Sequence, residues 1–409
     1  MSEVEMRIQL WSFHYHPEPT GIGPVSRVFA DGLARRGHDV SVVAAHPHYP
    51  KPMWQTGRRP YRERQGSVEV LRLPLWVGRK TAAERYRQEL SFVGSLAAAT
   101  PALGSPDVLV SVSPSFPALL PALANVRTRA LPWILWLQDL LPDGAASAGI
   151  VDESSRVLRM SRRLELAAYE RADRIAVISE AFTANLEAKG VPSTKIDLIY
   201  NPATRTPPKT TQRPKATGRP RILSMGNIGH SQGLAPLVAA FERSEEMKRI
   251  GAELVITGTG VAAEDVAAEV RSDRVRLLGV VDDVLLEREL RECSVALVSQ
   301  RYAGAEFNFP SKLMNFMAYG LPVIGVVDPA SEVARVVEQA QAGWIVDSAD
   351  PDAFPTLLAE ILGNQAILAS RGAASRAFAA AHFLEDGFTT RFETMLERVV
   401  RESSVGEMV

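Results

Sequence analysis

The sequence predicts an α/β protein built from two doubly wound, Rossmann-like domains that face each other across a cleft. Short apolar runs rich in β-branched residues alternate with helical patterns along most of the 409 residues. Continuous apolar runs separated by helices indicate parallel strands covered on both faces, because a parallel connection needs a crossover. The alternation stops once, in a proline-rich segment, and then restarts, which predicts a domain boundary there.

The predicted strands can be placed from these apolar runs. In the first half they are residues 7–13, 40–44, 68–73, 107–112, 133–138, 174–178 and 196–199, and in the second half 221–225, 252–257, 274–278, 294–298, 322–326 and 343–346. Residues 202–220 hold five prolines among basic residues and have a linker composition. We therefore predict a first domain over residues 1–201, a linker over 202–220, a second domain over 221–380, and a C-terminal helix over 381–409 that packs back on the first domain.

Composition excludes several classes of protein. The chain has 46 Lys and Arg against 47 Asp and Glu, and this net charge of −1 argues against a nucleic-acid binder that works by bulk charge. A single cysteine, Cys293, excludes an internal disulfide and a thiolate metal cluster. No run reaches the ~18 apolar residues of a membrane span, and the N-terminus does not resemble a signal sequence, so we expect a cytoplasmic protein.

Glycine-rich turns follow three of the predicted strands, at the strand ends where doubly wound sheets bind ligands. Gly21 and Gly23 follow the first strand, residues 226–233 (GNIGHSQG) follow the first strand of the second domain, and residues 258–260 (GTG) follow the next one. Such turns bring backbone amides close to a phosphate. The alternative is that glycine is needed only for tight strand-to-helix turns. Two such turns on adjacent strands of the second domain favour a nucleotide-diphosphate site.

A third element, residues 306–323 (EFNFPSKLMNFMAYGLPV), adds a positive charge. Pro310 and Ser311 are expected to begin a short helix, Lys312 offers a point charge to phosphate, and Asn315 lies one turn beyond Ser311 on the same side. The alternative is an ordinary surface helix with a solvated lysine.

Together these segments resemble the retaining glycosyltransferases of family 4, which have the two-domain GT-B architecture. The matching stretches are residues 15–50, 137–144 (LQDLLPDG), 172–202, 225–234 (MGNIGHSQGL) and 309–323 (FPSKLMNFMAYGLPV), in family order. The sequence is most similar to the branch that builds exopolysaccharide, capsule and O-antigen, including colanic-acid-type transferases. The resemblance implies a metal-independent, cofactor-free transfer of a hexosyl group from a nucleotide sugar to a glycan acceptor, which we expect to be lipid-linked.

The resemblance also implies roles for individual residues. Asp139 would lie against the reacting sugar, and Lys312 beside the donor diphosphate, as the catalytic residues. The implied donor-binding residues are Gly21, Gly23, Gly226, Asn227, Gln232, Gly258, Gly260, Val281, Glu306, Pro310, Ser311 and Asn315.

Three of these positions depart from the family pattern. Many members carry Arg and Lys, which clamp the diphosphate, where this chain has Asn227 and Gln232, and a Glu, which holds the ribose, where it has Asn315. A neutral amide binds more weakly than a charge-assisted donor; Arg301, Lys312 and helix N-termini are expected to supply the missing charge. Two alternatives stay open: a nucleotide-sugar epimerase of the same outline, and a catalytically degenerate nucleotide-sugar-binding subunit.

The histidine pairs His14/His16 and His46/His48 raise the question of a metal site. No matching Cys or Asp cluster lies nearby in the sequence, and histidines in proline-flanked loops are more often exposed or substrate-facing. We therefore expect no metal.

Residues 51–87 form a basic window with a net charge of +7, in which aromatic residues interleave with the charges. An apolar helix follows from about Leu90, and this combination suits contact with anionic lipid headgroups. A solvated charged face is the alternative, while single-stranded nucleic acid is poorly supported. The basic residues are Lys51, Arg58, Arg59, Arg62, Arg64, Arg72, Arg79, Lys80, Arg85 and Arg87.

Overall fold

A computed structural model describes residues 5–18, 22–49, 57–78, 81–113, 119–140, 156–205, 218–301 and 309–406. The chain divides into two units: residues 1–202 together with 385–409, and residues 203–384. Each unit has its own sheet and its own hydrophobic core. The predicted α/β class with two parallel-sheet domains is confirmed.

The described part of the first unit contains an eight-stranded sheet in the order β3-β4-β2-β1-β5-β6-β7-β8. Its strands are β1 (Arg7–Ser12), β2 (Asp39–Ala45), β3 (Tyr61–Gln65), β4 (Val68–Leu73), β5 (Val108–Ser113), β6 (Trp133–Leu137), β7 (Arg174–Val177) and β8 (Ile196–Leu198). Its helices are α1 (Ile22–Arg35), α2 (Ala82–Ala99), α3 (Leu119–Arg129), α4 (Arg156–Arg171) and α5 (Glu180–Ala188). All pairs are parallel except β3 with β4, which is antiparallel. β3 was not predicted, because this edge strand (YRERQ) carries no apolar run.

The second unit has a six-stranded, all-parallel sheet in its described residues, in the order β11-β10-β9-β12-β13-β14. Its strands are β9 (Arg221–Met225), β10 (Glu253–Thr257), β11 (Val275–Gly279), β12 (Val295–Ser299), β13 (Val323–Val327) and β14 (Gly343–Asp347). Its helices are α6 (Leu234–Arg243), α7 (Glu245–Ile250), α8 (Ala263–Ala268), α9 (Asp283–Glu292), α10 (Ser311–Ala318), α11 (Glu332–Gln339), α12 (Ala353–Leu362) and α13 (Gln365–His382). Side-chain caps such as Asp282 and Ser331 start α9 and α11 by accepting a backbone N–H.

The last helix, α14 (Glu385–Gly406), belongs to the first unit although it ends the chain. It packs on α1, where Phe388 and Phe392 are fully buried with Phe29 and Trp136. Glu393 adds polar contacts, 2.5 Å from Arg36 and 3.0 Å from His38.

The predicted linker is described only at its two ends. Residues 203–205 lie in the second unit, where the Ala203 N–H donates to the Phe383 carbonyl at 2.7 Å and Arg205 pairs with Asp283 at 3.0 Å. Residues 206–217 lie outside the described residues.

In the part of the chain that the structure describes, no helix has the length and the apolar character needed to cross a membrane.

Candidate functional site

A pocket of about 670 Å³ opens at the carboxyl ends of the second unit's strands. It lies where the strand order reverses: the chain runs from β9 to β10 and β11 on one side, and from β12 to β13 and β14 on the other. This switch point is where open α/β sheets bind their ligands. Among the lining residues, the buried hydroxyls of Ser299 and Ser348 have no hydrogen-bond partner in the described residues. Neither serine was among the predicted site residues.

The glycine-rich turns of this unit pack on one another backbone to backbone. A Cβ at Gly258 would lie 1.8 Å from the Gly226 carbonyl oxygen, and one at Gly260 would lie 2.4 Å from the Ile228 carbonyl oxygen. The Ile228 N–H also donates to the Thr259 carbonyl at 2.9 Å. Glycine at 258 and 260 is therefore required by loop packing, as the alternative interpretation proposed.

The turn that leads into α6 has neutral side chains where many members of the resembled family have Arg and Lys. Its backbone N–H groups and a neighbouring arginine offer positive potential instead. Gln232 Oε1 accepts the Gly229 N–H at 2.9 Å and lies 3.5 Å from Asn227 Nδ2, so both predicted residues line one turn. Gly233, at φ +60°, starts α6 with no side-chain cap. A Cβ added to Gly233 would lie 2.7 Å from Cγ of Arg301, so Arg301 covers this helix N-terminus. Uncapped N–H groups and a guanidinium favour an anion.

The helix α10 places Lys312 in its first turn, after Pro310 and Ser311. Lys312 Nζ is buried and has no hydrogen-bond partner among the described residues. Burial lowers the pKa of Lys312 from 10.5 to about 8. A solvated surface lysine, the alternative interpretation, is therefore wrong for this position. A buried ammonium with no counter-ion among the described residues is costly, so Lys312 is a candidate for binding an anion.

Asn315 has a partner within its own unit. Its Oδ1 accepts the backbone N–H of Thr204 at 3.0 Å, and its Nδ2 lies 3.3 Å from the Thr204 hydroxyl. The buried amide thus anchors the start of the second unit to α10. In this arrangement its hydrogen bonds are made with Thr204, and a role in holding a ribose stays a prediction.

The remaining predicted residues fall in different places. Asp139 follows β6, and although the residue is exposed, desolvation of its carboxyl by surrounding protein raises its pKa above the usual value. Gly23 lies in the first turn of α1, where a Cβ would be 2.9 Å from the Glu18 carbonyl oxygen, so packing alone requires this glycine. Val281 is half-buried beside the β11 turn. Gly21 and Glu306 lie outside the described residues.

The four histidines are buried or half-buried, so the expectation that they are exposed is wrong, while a substrate-facing role stays a prediction. His46 and His48 are buried, and a carboxylate that was not considered as a partner, Glu18, lies 2.5 Å from His14 Nδ1 and 3.2 Å from His48 Nδ1. The spacing of four residues between His14 and Glu18 was the sequence signal available; His48 comes near only through the fold.

The basic window is also more structured than expected. Arg72 is fully buried on β4, 2.9 Å from Glu63 on β3, and Arg62 pairs with Glu69 across the same hairpin. Of these strand arginines only Arg72 is withdrawn from the surface, because the Arg62 side chain is 60% exposed and Arg64 is exposed as well. On α2, Arg85 and Arg87 are also exposed.

Family models of known proteins match both halves of the chain. A model of the "Glycosyl transferase 4-like domain" matches residues 20–202, and a model of "Glycosyl transferases group 1" matches residues 219–364. The putative colanic acid biosynthesis glycosyl transferase WcaI of Escherichia coli strain K12 is 26% identical over 391 residues, covering 89% of this chain and 92% of WcaI. The probable glycosyltransferase WbjE of Pseudomonas aeruginosa is 26% identical over 309 residues, covering 72% and 76%.

Solved structures share the fold. Sucrose-phosphate synthase from Thermosynechococcus elongatus aligns with a TM-score of 0.67 at 19% identity, covering 97% of this chain and all of that one. Anabaena HepE in complex with UDP aligns with a TM-score of 0.64 at 13% identity, covering 96% and 100%.

Proposed function

The chain belongs to the GT-B glycosyltransferases of polysaccharide biosynthesis, and we propose that it moves a hexosyl group from a nucleotide sugar to a lipid-linked glycan with retention of configuration. The observation that carries the donor assignment is the buried ammonium of Lys312 at the start of α10. The relative WcaI is named for colanic acid biosynthesis, which supports a place in exopolysaccharide or capsule assembly. We propose that the protein acts at the inner face of the cell membrane.

The charges that develop during glycosyl transfer determine which groups the site needs. Glycosyl transfer builds positive charge on the sugar ring and negative charge on the departing diphosphate, so a fixed cation beside the phosphates stabilises the transition state. Arg301 and the uncapped N-terminus of α6 line the pocket and offer this positive potential there. Lys312, on α10 of the same unit, is proposed to add its charge. Their combined charge supports a reaction that needs no divalent ion and no cofactor.

A screen of nucleotide sugars tests the donor site. Thermal unfolding is followed with UDP, GDP and ADP sugars and with the free diphosphates, without added metal. A ligand that binds only the folded protein at one hundred times its Kd adds about 2.7 kcal/mol of stability. We expect a shift with one nucleotide class, and no shift with any of them in folded protein would contradict the proposal.

Turnover assays with the donor that binds separate the two other functions. An epimerase would convert the bound donor without any acceptor. A degenerate binding subunit, which the neutral Asn227, Gln232 and Asn315 favour, would bind the donor but release no diphosphate with lipid extracts as acceptor.

We also propose contact with anionic lipid, through a face built by α2, α3 and α4. These helices pack side by side on the first sheet, as right-handed crossovers require. Glu170 is the one exposed acidic side chain that their described parts carry. Exposed apolar residues on this face are Tyr86, Leu90, Leu120, Met160 and Leu166, and exposed arginines are Arg85, Arg87, Arg127, Arg159 and Arg163. The predicted basic window contributes Arg85 and Arg87 to this face through α2, where Arg87 lies 4.5 Å from the Trp76 ring. Lys51, Arg79 and Lys80 of the window lie outside the described residues.

Reversing Arg159 and Arg163 to Glu is expected to release the protein from vesicles that contain anionic lipid, since each arginine near such a surface contributes about 1 kcal/mol. Sedimentation with phosphatidylglycerol vesicles measures the bound fraction. The matched control reverses Arg249 and Arg401, which are exposed elsewhere. Equal binding by both double variants would contradict the proposal.

A further inference from the structure

Two buried serine hydroxyls in the lining of the second unit's pocket, those of Ser299 and Ser348, have no hydrogen-bond partner among the described residues. Ser299 is 1% exposed and ends β12, and Ser348 directly follows β14. A buried hydroxyl without a hydrogen bond is unfavourable, because it has given up its bonds to water. At the carboxyl edge of an open α/β sheet, two such groups indicate a ligand that supplies the missing partners.

The register of the sheet determines how far apart the two serines lie. β13 runs between β12 and β14. Ser299 pairs with Val326, and Val326 pairs with Val346. Ser348 is two residues beyond Val346, and its N–H donates to the Val327 carbonyl at 3.0 Å, which continues the strand pairing. Side chains two residues apart share a face, and strands are spaced ~4.8 Å, so the two serines lie on one face with their backbones roughly 10 Å apart.

The rest of the lining is apolar at its walls and positive at one end. Pro236, Leu237 and Val326 are among the apolar lining residues, and none of the described lining residues is acidic. Arg301 lies two residues beyond Ser299 and covers the uncapped N-terminus of α6. The pocket, which belongs wholly to the second unit, therefore suits a ligand with an anionic group beside Arg301 and a neutral, hydroxylated part beside the serines.

Two separated hydroxyls suit a sugar ring better than a phosphate. The oxygens of a phosphate group surround one phosphorus atom, so a single phosphate does not reach partners on strands that a third strand separates. A serine hydroxyl both donates and accepts hydrogen bonds, as a sugar hydroxyl does. A pyranose ring carries hydroxyls on opposite edges and C–H groups on its faces. It therefore matches the two serines and the apolar side chain of Val326 between them.

We propose that this pocket holds the sugar of the nucleotide-sugar donor, and that Ser299 and Ser348 are specificity-determining residues that hydrogen-bond hydroxyls on opposite edges of its ring. This inference rests on the proposed glycosyl transfer and names the class of donor, one whose sugar carries free hydroxyls on both edges. The diphosphate lies at the positive end of the pocket, beside Arg301. A sugar that lacks one of the two hydroxyls is rejected, because it leaves a buried serine without its partner.

Calorimetry measures the Kd of UDP-glucose and of UDP; if the thermal screen selects another nucleotide class, the nucleotide sugar and the free diphosphate of that class replace them. Ser299→Ala and Ser348→Ala are each expected to raise the Kd of the nucleotide sugar about five- to tenfold, the effect of one lost hydrogen bond. The Kd of the free diphosphate should change less than about twofold. Neither substitution should lower the melting temperature of the ligand-free protein, because the hydroxyl that it removes has no bond to lose.

Donors with a single deoxy position identify the sugar hydroxyl that each serine binds. The donor that lacks this hydroxyl should bind the wild type about five- to tenfold more weakly than the parent donor does, and should bind the matching serine variant as tightly as the parent does. The matched control is Ser375→Ala, which removes a fully buried hydroxyl of the same unit that donates to the Leu321 carbonyl at 2.7 Å. It should lower the melting temperature and leave both Kd values unchanged.

Three results would overturn the proposal. Equal weakening of the nucleotide sugar and the free diphosphate in the serine variants would place the hydroxyls at the nucleotide or its phosphates. A melting temperature lowered as in Ser375→Ala, with both Kd values unchanged, would give the hydroxyls a structural role. Wild-type affinity and stability in both serine variants would show that the sugar binds elsewhere. Failure of every nucleotide sugar and diphosphate to bind would instead remove the proposed function.

Discussion

Replacing Lys312 with methionine is expected to stabilise the ligand-free protein while it weakens donor binding. The Lys312 ammonium is buried without a partner among the described residues, and its pKa falls from 10.5 to about 8. Between these pH values the unfolded chain holds the proton and the folded chain does not, so stability rises with pH across this window. Below pH 8 the folded protein bears the full free-energy cost of the buried charge. This cost is roughly 3 kcal/mol, because each unit of pKa shift corresponds to about 1.36 kcal/mol.

The free energy of unfolding of the Lys312→Met variant should therefore exceed that of the wild type by on the order of 2 kcal/mol at pH 7. The rise of this free energy with pH between pH 8 and 10.5 should disappear. Loss of one charge-assisted contact to phosphate should weaken diphosphate binding by about 1.5–3 kcal/mol. Denaturant unfolding at several pH values measures the first effect, and calorimetry with the diphosphate measures the second. Lys248→Met, which removes an exposed lysine paired with Glu245, is the matched control and should change neither. Unchanged affinity would take Lys312 out of the donor site.

Strands buried on both faces were readable from the sequence because most residues of such a strand are apolar. β6 (WILWL) is buried at all five positions, and a search for apolar runs finds it at once. β3 (YRERQ) is an edge strand whose register depends on pairs with β4, such as Arg72 with Glu63. Charged side chains on an edge strand discourage its pairing with strands of other chains.

The candidate site shows the same limit: its local motifs were readable from the sequence, but its contacts between distant segments were not. The motif around Lys312 was readable from the sequence. The burial of the Lys312 ammonium, however, depends on packing that no local pattern encodes. Asn315 was expected at a ribose, and its bond to Thr204 joins residues 111 positions apart. Glu18 and His48 are 30 positions apart and meet only because β1 and β2 are neighbours in the sheet. Local spacing predicts which groups share an element, whereas contacts between elements need the topology.

Phe392→Ala is expected to cost about 3–5 kcal/mol of the first unit's stability, the range for removal of a buried phenylalanine. The Phe392 ring is fully buried, with its centroid 4.9 Å from the Phe29 ring and 4.8 Å from the Trp136 ring. It joins the last helix of the chain to the first helix and to a central strand. The loss should appear in the first unit because α14 packs there, although it follows the second unit in sequence.

Calorimetry of the full chain, with and without the diphosphate that binds the second unit, assigns the melting transitions. The transition that the ligand does not move should fall in temperature in Phe392→Ala, while the ligand-dependent one keeps its midpoint. Thr394→Ala, an exposed position on the same helix, should shift neither by more than about 0.5 kcal/mol. A fall confined to the ligand-dependent transition would contradict the assignment of α14 to the first unit, since the cavity would then lie in the other core.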